Sequence, residues 1–554
     1  MTEQNNKLLL TIAVMAFASV MSFWALSGGP LDNHECLVSV TAREMLANNN
    51  WIVPTFNDEI RLQKTPLNYW LVASVAKITG SVNEFSARLP SAVFAILSAA
   101  AILYFTSQWL AFPIAILSTA LWISTLGFIR YSHNGRPEMT LCALIMISML
   151  SFYSAMKTQS RRRQVSYMLV FWLSFSLAML AKGPAPLALV VPPIFFYFAV
   201  FRQWGKLKFT LPIIGTILFL LIVLPWPIIA FERTTGSLSF WKREFIDRFL
   251  GDYAAGRKPF WYYLQVVFLF TAPFSAFVPY IVAAPFYSVW EKKRPLMWYL
   301  WLWFVVQIVV MSISGGKRQH YILPAMPAFS ILAAICLYDM IFEQTAFKLK
   351  QVKSLFIGHI IVIAAGVIGL LYWALTKEKA FIWPSIHIAM MISIMLGLVV
   401  VLFLQKHKIA ATALLFAGYG AIVMTVFIYF LLPLDYNNPS RIFSLEIGRT
   451  VPSDEKLIAY RSASARTIHY AGRTIPEIAD FDELYNRYLQ GQWIIATGKS
   501  YEELVKDGRF NTVFYRPVAE RSGSNDIGGA LLHNSTGPDV IKAQENAEIP
   551  SPAR

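Results

Sequence analysis

The chain has 554 residues, of which 56% are hydrophobic and 14% are charged, and its mean hydropathy is +0.50. This apolar content is more than the core of a soluble protein requires, so the composition excludes a soluble globular enzyme and predicts a polytopic membrane protein. The formal charge of +16 comes from short basic clusters between apolar segments, and nucleic-acid binding is not predicted. The 3 cysteines are too few and too scattered for a disulfide framework or a cysteine-based metal site.

Apolar segments of transmembrane length follow one another through the first 433 residues. Their approximate bounds are 8–26, 86–107, 111–129, 138–156, 166–180, 184–201, 209–230, 262–289, 296–313, 320–341, 354–375, 383–404 and 408–433. The first segment also resembles a cleavable signal peptide, because Lys7 precedes it and Ser27-Gly28-Gly29-Pro30 follows it. Its length and the spans behind it favour a membrane helix. The sequence therefore predicts about 13 transmembrane helices.

Basic residues in the short connections predict the orientation of these spans. They number 15 Lys and Arg in five connections, at 157–163, 202–208, 292–294, 348–353 and 406–408. Because connections rich in Lys and Arg stay in the cytoplasm, the alternate connections and everything after residue 434 are expected on the outer side. These outer connections carry ionisable residues at span ends, where such groups are costly and often mark a site.

A polar loop within residues 27–85 separates the first two spans. Asp32 or Asn33 is placed to cap a helix over the residues that follow. The pattern of that helix, with His34 on its apolar side and Glu35 towards its start, predicts an amphipathic helix lying on the membrane surface.

From residue 434 onward the composition becomes that of a soluble domain. Strands are predicted at 457–460, 493–497 and 512–515, and helices at 481–489 and 501–506. Alternating elements of this kind predict a small outer α/β domain over residues 434–518. Residues 519–554 are rich in Ser, Gly, Asn, Pro and Ala, and this composition predicts a disordered tail.

A series of short motifs carries a resemblance to one class of membrane enzymes. The motifs are Ala42-Arg43-Glu44-Met45, Asn50-Trp51-Ile52-Val53-Pro54-Thr55, Leu62-Gln63-Lys64-Thr65-Pro66-Leu67-Asn68-Tyr69-Trp70, Glu84-Phe85-Ser86-Ala87-Arg88-Leu89-Pro90, Arg136-Pro137-Glu138-Met139, Ala181-Lys182-Gly183-Pro184, Arg243-Glu244, Arg248-Phe249, Pro259-Phe260-Trp261-Tyr262-Tyr263, and Lys317-Arg318 before Tyr321-Ile322-Leu323-Pro324. In their order, the chain resembles the GT-C integral-membrane glycosyltransferases, in particular the lipid A aminoarabinose transferases and the dolichyl-phosphate-mannose protein mannosyltransferases. The resemblance runs through residues 8–340.

The resemblance implies a polytopic α-helical GT-C fold over residues 1–433, followed by the small α/β domain. It implies an inverting glycosyltransferase that moves a hexosyl or pentosyl group from a polyprenyl-phosphate donor to a glycolipid, lipid A, polysaccharide or protein acceptor. It also implies a multi-pass protein of the bacterial inner membrane, in contact with membrane lipids and acting as a monomer. Its site and its C-terminal domain are expected on the periplasmic side.

In this class the first outer loop carries an adjacent Asp-Glu pair that activates or positions the acceptor. Glu35 matches the Glu, but His34 stands where the Asp is expected, and Asp32 lies two residues earlier. An inverting displacement needs a base on the acceptor side, opposite the departing phosphate. Both Asp32 and Glu35 stay candidates for that base, although Asp32 also reads as a plain helix cap.

The other site residues that the resemblance implies divide into two groups. Glu138 is a further catalytic candidate, and His34 and Arg136 are candidates for orienting the acceptor. The candidates for binding the donor phosphate are Lys64, Lys182, Arg248, Lys317, Arg318 and Tyr321. Cations of this kind stabilise the charge that develops on a leaving phosphodiester. The structural alternative for each is that a basic side chain at a span end reaches the lipid headgroups.

Some relatives bind a divalent metal through a carboxylate before the loop lysine and a His in a later outer loop. The carboxylate position is Gln63 in this chain, and residues 231–261 contain no His. Asp32, His34, Glu35 and Glu138 could form another site for a hard cation, but their spacing does not require one. No essential metal or other cofactor is therefore expected.

Two other functions compete with this interpretation. A lipid-linked-sugar flippase or transporter would also be polytopic, but such proteins tend to have internal repeats and ionisable residues near mid-span. Here the charged residues gather at the outer ends of the spans. A membrane-anchored binding protein would use the C-terminal domain, whose sequence contains no convincing catalytic set. Cleavage of a labelled polyprenyl-phosphate sugar would separate the three.

Overall fold

The computed structural model describes residues 3–234, 258–347, 349–436, 439–516 and 529–534, with isolated positions 242 and 247. The chain forms two compact units. The membrane unit comprises Met1–Leu26, Leu62–Thr79 and Phe85–Phe430, and the loop unit comprises Ser27–Arg61, Gly80–Glu84 and Leu431–Arg554. Two parts of the outer loop, Ser27–Arg61 and Gly80–Glu84, are thus grouped with the C-terminal segment, whereas Leu62–Thr79 belongs to the membrane unit.

The helices and strands of the described residues are numbered in chain order. The helices are α1 (Glu3–Phe23), α2 (Asn33–Ala47), α3 (Leu67–Thr79), α4 (Glu84–Ser107), α5 (Phe112–Ile123), α6 (Leu126–Ser132), α7 (Glu138–Lys157), α8 (Arg161–Lys182), α9 (Ala185–Phe201), α10 (Pro212–Val223), α11 (Pro225–Glu232), α12 (Tyr262–Thr271), α13 (Val278–Ala283), α14 (Arg294–Ile313), α15 (Met326–Tyr338), α16 (Leu349–Thr376), α17 (Ile382–Leu404), α18 (Lys408–Val426), α19 (Leu432–Tyr436), α20 (Pro439–Thr450), α21 (Ala465–Tyr470), α22 (Phe481–Leu489) and α23 (Lys499–Asp507). The strands are β1 (Thr55–Phe56), β2 (Glu59–Ile60), β3 (Leu457–Tyr460), β4 (Glu477–Ile478), β5 (Trp493–Thr497), β6 (Thr512–Tyr515) and β7 (Gly529–Leu532).

The polytopic helical architecture is confirmed, and each of the 13 predicted spans corresponds to an apolar helix or to a bent pair of helices. The described residues contain 10 helices of sufficient length and apolarity, or up to 12 if two bent pairs are each counted as one span. The predicted span 111–129 consists of α5 and α6, bent by 60°. The predicted span 262–289 is bent by 118° after α12, where Pro273 cannot donate a helical hydrogen bond. The predicted span 184–201 is the shorter helix α9, of 17 residues.

Helices α7 and α15 lie in the interior of the membrane unit. In an apolar stretch of 18 residues in α7, 89% of the positions are buried. In the corresponding stretch of Gln319–Glu343, which contains α15, 83% are buried. Tyr299 of α14 donates a hydrogen bond of 2.6 Å to the carbonyl of Met149 in α7. Trp303 of α14 donates one of 3.0 Å to the carbonyl of Pro324, just before α15. Side chains at the ends of α7 and α15 are therefore held by a tightly packed core.

The C-terminal part of the loop unit contains a five-stranded sheet in the order β4-β3-β5-β7-β6. Strand β3 is parallel to β4 and β5, whereas β7 is antiparallel to both β5 and β6. The predicted strands 457–460, 493–497 and 512–515 and the predicted helix 481–489 are confirmed. The helix predicted at 501–506 extends over Lys499–Asp507.

The predicted disordered tail contains the strand β7, so the prediction is wrong for Gly529–Leu532. Leu531 and Leu532 are buried between two strands, with Leu531 opposite Ile495 of β5. A four-residue apolar segment of this kind is too short for composition to predict, yet it completes the sheet. Residues 519–528 and 535–554 lie outside the described residues.

Helix α2 begins at the predicted cap, Asp32, and it is more buried than an amphipathic pattern indicates, while its place at the membrane surface stays a prediction. Most of its residues are buried, and Glu35 and Glu44 are only 2% and 7% exposed. The hairpin of β1 and β2 explains the burial of Glu44, because its carboxylate accepts hydrogen bonds from the Thr55 hydroxyl at 2.6 Å and the Asn57 N–H at 2.7 Å. Backbone amides thus let acidic residues of this helix face inward.

Candidate active site

Three of the membrane unit's ionisable side chains meet at Glu138. Its Oε1 atom lies 3.1 Å from Lys182 Nζ and 3.3 Å from His320 Nε2. The three side chains are nearly buried, with 7% exposed for Glu138, 14% for Lys182 and 11% for His320. Among the described residues, no group donates a hydrogen bond to the buried Oε2 atom of Glu138. A buried carboxylate with one unsatisfied oxygen is unusual in a structural ion pair and more typical of a site.

The local sequence places these side chains at one end of their helices. Helix α7 begins at Glu138, directly after Pro137. Helix α8 ends at Lys182 because Gly183 follows with φ of 61°, a conformation that favours glycine. The start of one helix and the end of the next therefore lie side by side. The Gly183 N–H donates a hydrogen bond of 3.1 Å to the Thr65 hydroxyl, which tethers the neighbour of Lys64 to the neighbour of Lys182.

Two tyrosines and two arginines surround the cluster. Lys182 Nζ lies 5.6 Å from the ring centre of Tyr321, within the range of a cation–π contact. The His320 ring packs edge-on against Tyr131 and Tyr321, at centroid distances of 6.4 and 4.9 Å. The charge of Arg136 acts on both Glu138 and Lys182, and the charge of Arg318 acts on Lys182. The environment of the pair is therefore both aromatic and cationic.

The predicted phosphate-binding residues are only partly brought together. Lys182 and Tyr321 lie in the cluster, and Lys64 is connected to it through Thr65. Lys317 instead donates a hydrogen bond of 2.7 Å to the carbonyl of Ser314, and Arg318 is exposed. Arg248 lies outside the described residues.

In the loop unit, Asp32 and Glu35 form a reciprocal capping box at the start of α2. Asp32 Oδ1 accepts hydrogen bonds from the N–H groups of His34 and Glu35, at 2.7 and 2.9 Å. Glu35 Oε2 accepts one of 2.8 Å from the Asp32 N–H. Asp32 is half-buried and His34 is exposed, whereas Glu35 is 2% exposed. Of the two candidate bases, Asp32 is therefore the more accessible one.

Burial perturbs the titration of several loop-unit groups near α2. It lowers the pKa of His469 to about 4, with a smaller contribution in the same direction from the positive charge of Arg43. It raises the pKa of Tyr470 well above the usual range, and the nearby Glu84 carboxylate acts in the same direction. His469 is therefore neutral and Tyr470 protonated at neutral pH.

The described residues do not fit the divalent-metal site that the resemblance implies. No group of three or more His, Cys, Asp or Glu side chains is arranged among them to hold an ion. Gln63 occupies the position of the expected carboxylate, and a neutral amide is a poor substitute for an anionic ligand. The expectation that no metal is essential stays a prediction.

His320 was not among the residues predicted from the sequence. Its neighbour Tyr321 was, because it belongs to a recognised motif at the outer end of a predicted span. A histidine beside such a motif, where ionisable groups are costly, is the signal that would have identified it.

The sequence comparisons match a part of the chain that includes Glu138 and Lys182 of the cluster. The family model for dolichyl-phosphate-mannose-protein mannosyltransferase matches residues 63–229. Undecaprenyl phosphate-alpha-4-amino-4-deoxy-L-arabinose arabinosyl transferase 2 of Proteus mirabilis is 28% identical over 352 residues, 62% of this chain and 61% of the relative. The corresponding transferase of Photorhabdus laumondii is 30% identical over 58% of each chain. The chain thus spans about three fifths of the length of these curated relatives.

The crystal structure of ArnT from Cupriavidus metallidurans bound to undecaprenyl phosphate matches with a TM-score of 0.81 and 18% identity, covering 95% of this chain and 98% of that chain. This chain has the GT-C fold. The resemblance read from the motifs is therefore confirmed. Within this GT-C chain, Lys64, Glu138 and Lys182 lie in the segment that the family model matches, whereas His320 and Tyr321 follow it.

Proposed function

We propose that the chain is an inverting glycosyltransferase that moves a sugar from a polyprenyl-phosphate donor to an acceptor hydroxyl. The observation that carries this proposal is the buried cluster of Glu138, Lys182 and His320 in a GT-C fold. The relatives' names favour a pentosyl donor, since they are arabinosyl transferases for an undecaprenyl-phosphate amino sugar. Glycolipids such as lipid A, polysaccharides and proteins are the acceptor classes to test.

On the donor side, Lys64, Lys182 and Tyr321 would hold the phosphate, with Arg318 contributing positive charge. As the bond between the sugar and the phosphate breaks, the departing oxygen gains negative charge, which cations in a partly dehydrated site stabilise strongly. The Glu138 carboxylate lies 3.1 Å from Lys182 Nζ and so fixes the position of the positive charge of Lys182. Arg248 and Lys317 stay candidates for the same role.

On the acceptor side, Asp32 would act as the base. The acceptor oxygen attacks the anomeric carbon, its proton passes to the Asp32 carboxylate, and the electron pair of the breaking bond leaves with the phosphate. Attack opposite the leaving group inverts the anomeric centre. Glu35 would hold the start of α2 in place rather than touch the acceptor, because it is 2% exposed and accepts the Asp32 N–H. The exposed His34 and the membrane unit's Arg136 would orient the acceptor.

The bacterial relatives and the basic connections support a location in the bacterial inner membrane, with both proposed roles on the periplasmic side. The proposed reaction requires no metal ion.

The experiment uses the purified full chain in lipid nanodiscs with a panel of undecaprenyl-phosphate-linked pentoses and hexoses carrying a label in the sugar. Membrane glycolipid, polysaccharide and protein fractions serve as acceptors. We expect label to leave the prenyl carrier and enter one acceptor fraction, and we expect Asp32→Asn to lower this rate by about a thousandfold, as removal of a general base typically does. Lys182→Gln should lower it by a similar factor.

Retention of the label on the carrier throughout the panel would overturn the proposal. Movement of the intact labelled lipid across the bilayer, measured in liposomes, would instead establish a flippase. Release that is equally fast in Asp32→Asn would contradict the role of that residue.

A further inference from the structure

The loop helix α2 is held by the C-terminal helix α21, although the two are far apart in the sequence. Both belong to the loop unit. The contacts cluster around Leu31 and Asn33, which flank the candidate base Asp32. They are more specific than the packing of two apolar faces, because they are hydrogen bonds with defined directions.

Both backbone groups of Leu31 are bound by side chains of α21. The Leu31 N–H donates to the Tyr470 hydroxyl at 2.8 Å, and the Leu31 carbonyl accepts from Arg466 Nε at 3.2 Å. The Asn33 side chain accepts from the Arg466 N–H at 3.2 Å. Residues on each side of Asp32 are thus fixed to the same short helix. The backbone at Asp32 is therefore held on both sides by contacts with α21.

The same tyrosine connects this point to the end of the loop. Its hydroxyl donates a hydrogen bond of 2.9 Å to Glu84 Oε1, so the Tyr470 hydroxyl links Leu31 with the first residue of α4. Arg43, further along α2, donates to the carbonyls of Ile468 and His469 at 3.2 and 3.1 Å. The loop is therefore fastened to α21 at its beginning, middle and end.

We propose that Tyr470 and Arg466 are positioning residues that set the place of Asp32 for taking up the proton of the acceptor hydroxyl. The inference rests on the proposed function in one respect, the role of Asp32 as base. It assigns a task to the C-terminal domain, which would hold the loop segment that carries the acceptor-side carboxylate. The two residues of the Leu31–Tyr470 hydrogen bond are 439 positions apart in the sequence. A general base that moves by a fraction of an ångström loses much of its effect.

The chain supplies a matched control for Tyr470. Tyr488 lies in α22 of the same unit, and its hydroxyl accepts a hydrogen bond of 2.7 Å from the Asn511 N–H. It also lies within hydrogen-bond distance of the His533 carbonyl, at 3.4 Å. Tyr470→Phe and Tyr488→Phe therefore each remove one hydroxyl that accepts a hydrogen bond from a backbone N–H. Only the first change affects the segment around Asp32.

Hydrogen exchange provides a readout that does not depend on activity. In the full chain, we expect Tyr470→Phe to speed amide exchange in the peptide covering residues 28–36 by about fivefold, the effect of one net hydrogen bond. Tyr488→Phe should leave that peptide unchanged. With the active donor of the panel, Tyr470→Phe should lower kcat about tenfold and leave the donor KM within about twofold, because only the acceptor-side base is displaced.

A double-mutant cycle separates positioning from general stability. If Tyr470 acts through Asp32, the pair Asp32→Asn and Tyr470→Phe should be no slower than Asp32→Asn alone. Additive losses, or a Tyr470→Phe enzyme no slower than Tyr488→Phe, would overturn the inference. If Tyr470→Phe does not fold, Arg466→Gln replaces it, and Arg473→Gln is the control. Among the described residues, Arg473 donates hydrogen bonds only to carbonyls of the 451–455 segment. A fully active Asp32→Asn enzyme would instead refute the base assignment in the proposed function.

Discussion

Acidic side chains are buried in both units, but they are compensated in different ways. In the membrane unit, Glu138 faces the cationic side chain of Lys182 and the ring of His320. In the loop unit, Glu35 and Glu44 accept hydrogen bonds mainly from backbone N–H groups of the turns around α2. The difference reflects the available donors. Glu138 begins α7 but faces a lysine and a histidine of other elements, whereas Glu35 faces an N–H group at the start of its own helix and Glu44 faces N–H groups of the β1–β2 turn.

This contrast implies that single substitutions have unequal effects in the two units. A buried ion pair leaves an uncompensated charge when one partner is removed. A cap is one hydrogen bond among several, and its loss exposes a backbone group that water can satisfy. The membrane cluster should therefore be intolerant of change, and the loop cap should be tolerant of it.

The largest effect is expected for Lys182→Met, which strands the carboxylate of Glu138 in the interior. We expect the free energy of unfolding, measured by denaturant titration in mixed micelles, to fall by about 3–5 kcal/mol. Glu138→Gln combined with Lys182→Met should recover most of this loss, because no buried charge then remains unpaired. Sugar transfer should stay absent in both variants. A single variant as stable as the double one would mean that the pair is not isolated from water.

A smaller effect is expected from pH in the loop unit, through His469. Its folded-state pKa of about 4 lies below the value of 6.5 for an exposed histidine. Below pH 6.5, His469 therefore binds a proton in the unfolded chain but not in the folded chain. The free energy of unfolding falls as the pH drops from 6.5 to 4. The full difference amounts to about 3 kcal/mol.

His469→Gln has no proton to gain, so its stability should lack this component. The measurement is the difference in unfolding free energy between the two proteins at pH 7.5 and pH 4.5, because other groups titrate equally in both. A difference that does not change with pH would place His469 in contact with water.

The smallest effect is expected at the cap of α2. Asparagine caps a helix about as well as aspartate, whereas alanine costs about 1 kcal/mol, so Asp32→Asn should be as stable as the native chain and Asp32→Ala slightly less stable. Both should lose sugar transfer. The pair of variants thus separates the structural role of Asp32 from its proposed chemical role, and transfer that tracks stability instead would assign Asp32 to the cap alone.

Local features of the fold were predictable, and contacts between distant segments were not. The strand at 493–497 is a short apolar run that ends at Gly498, and Asp32 is a cap residue followed by Glu35, so pattern alone located both. The burial of α2 was missed because Glu35 and Glu44 read as solvent-facing until their backbone donors are known. The Glu138–His320 contact depends on the packing of α7 against the segment before α15, which no local pattern reports.

Strand β7 has a consequence for how the protein is made. It lies between β5 and β6, although it is the last of the three to leave the ribosome. Until residue 532 has been synthesised, β5 and β6 lack their shared neighbour and present open edges, which in other proteins invite pairing between chains. The sheet beside α21 therefore closes only after residue 532 has been made. A nascent chain cut short before residue 529 would retain its spans but leave that sheet open to association.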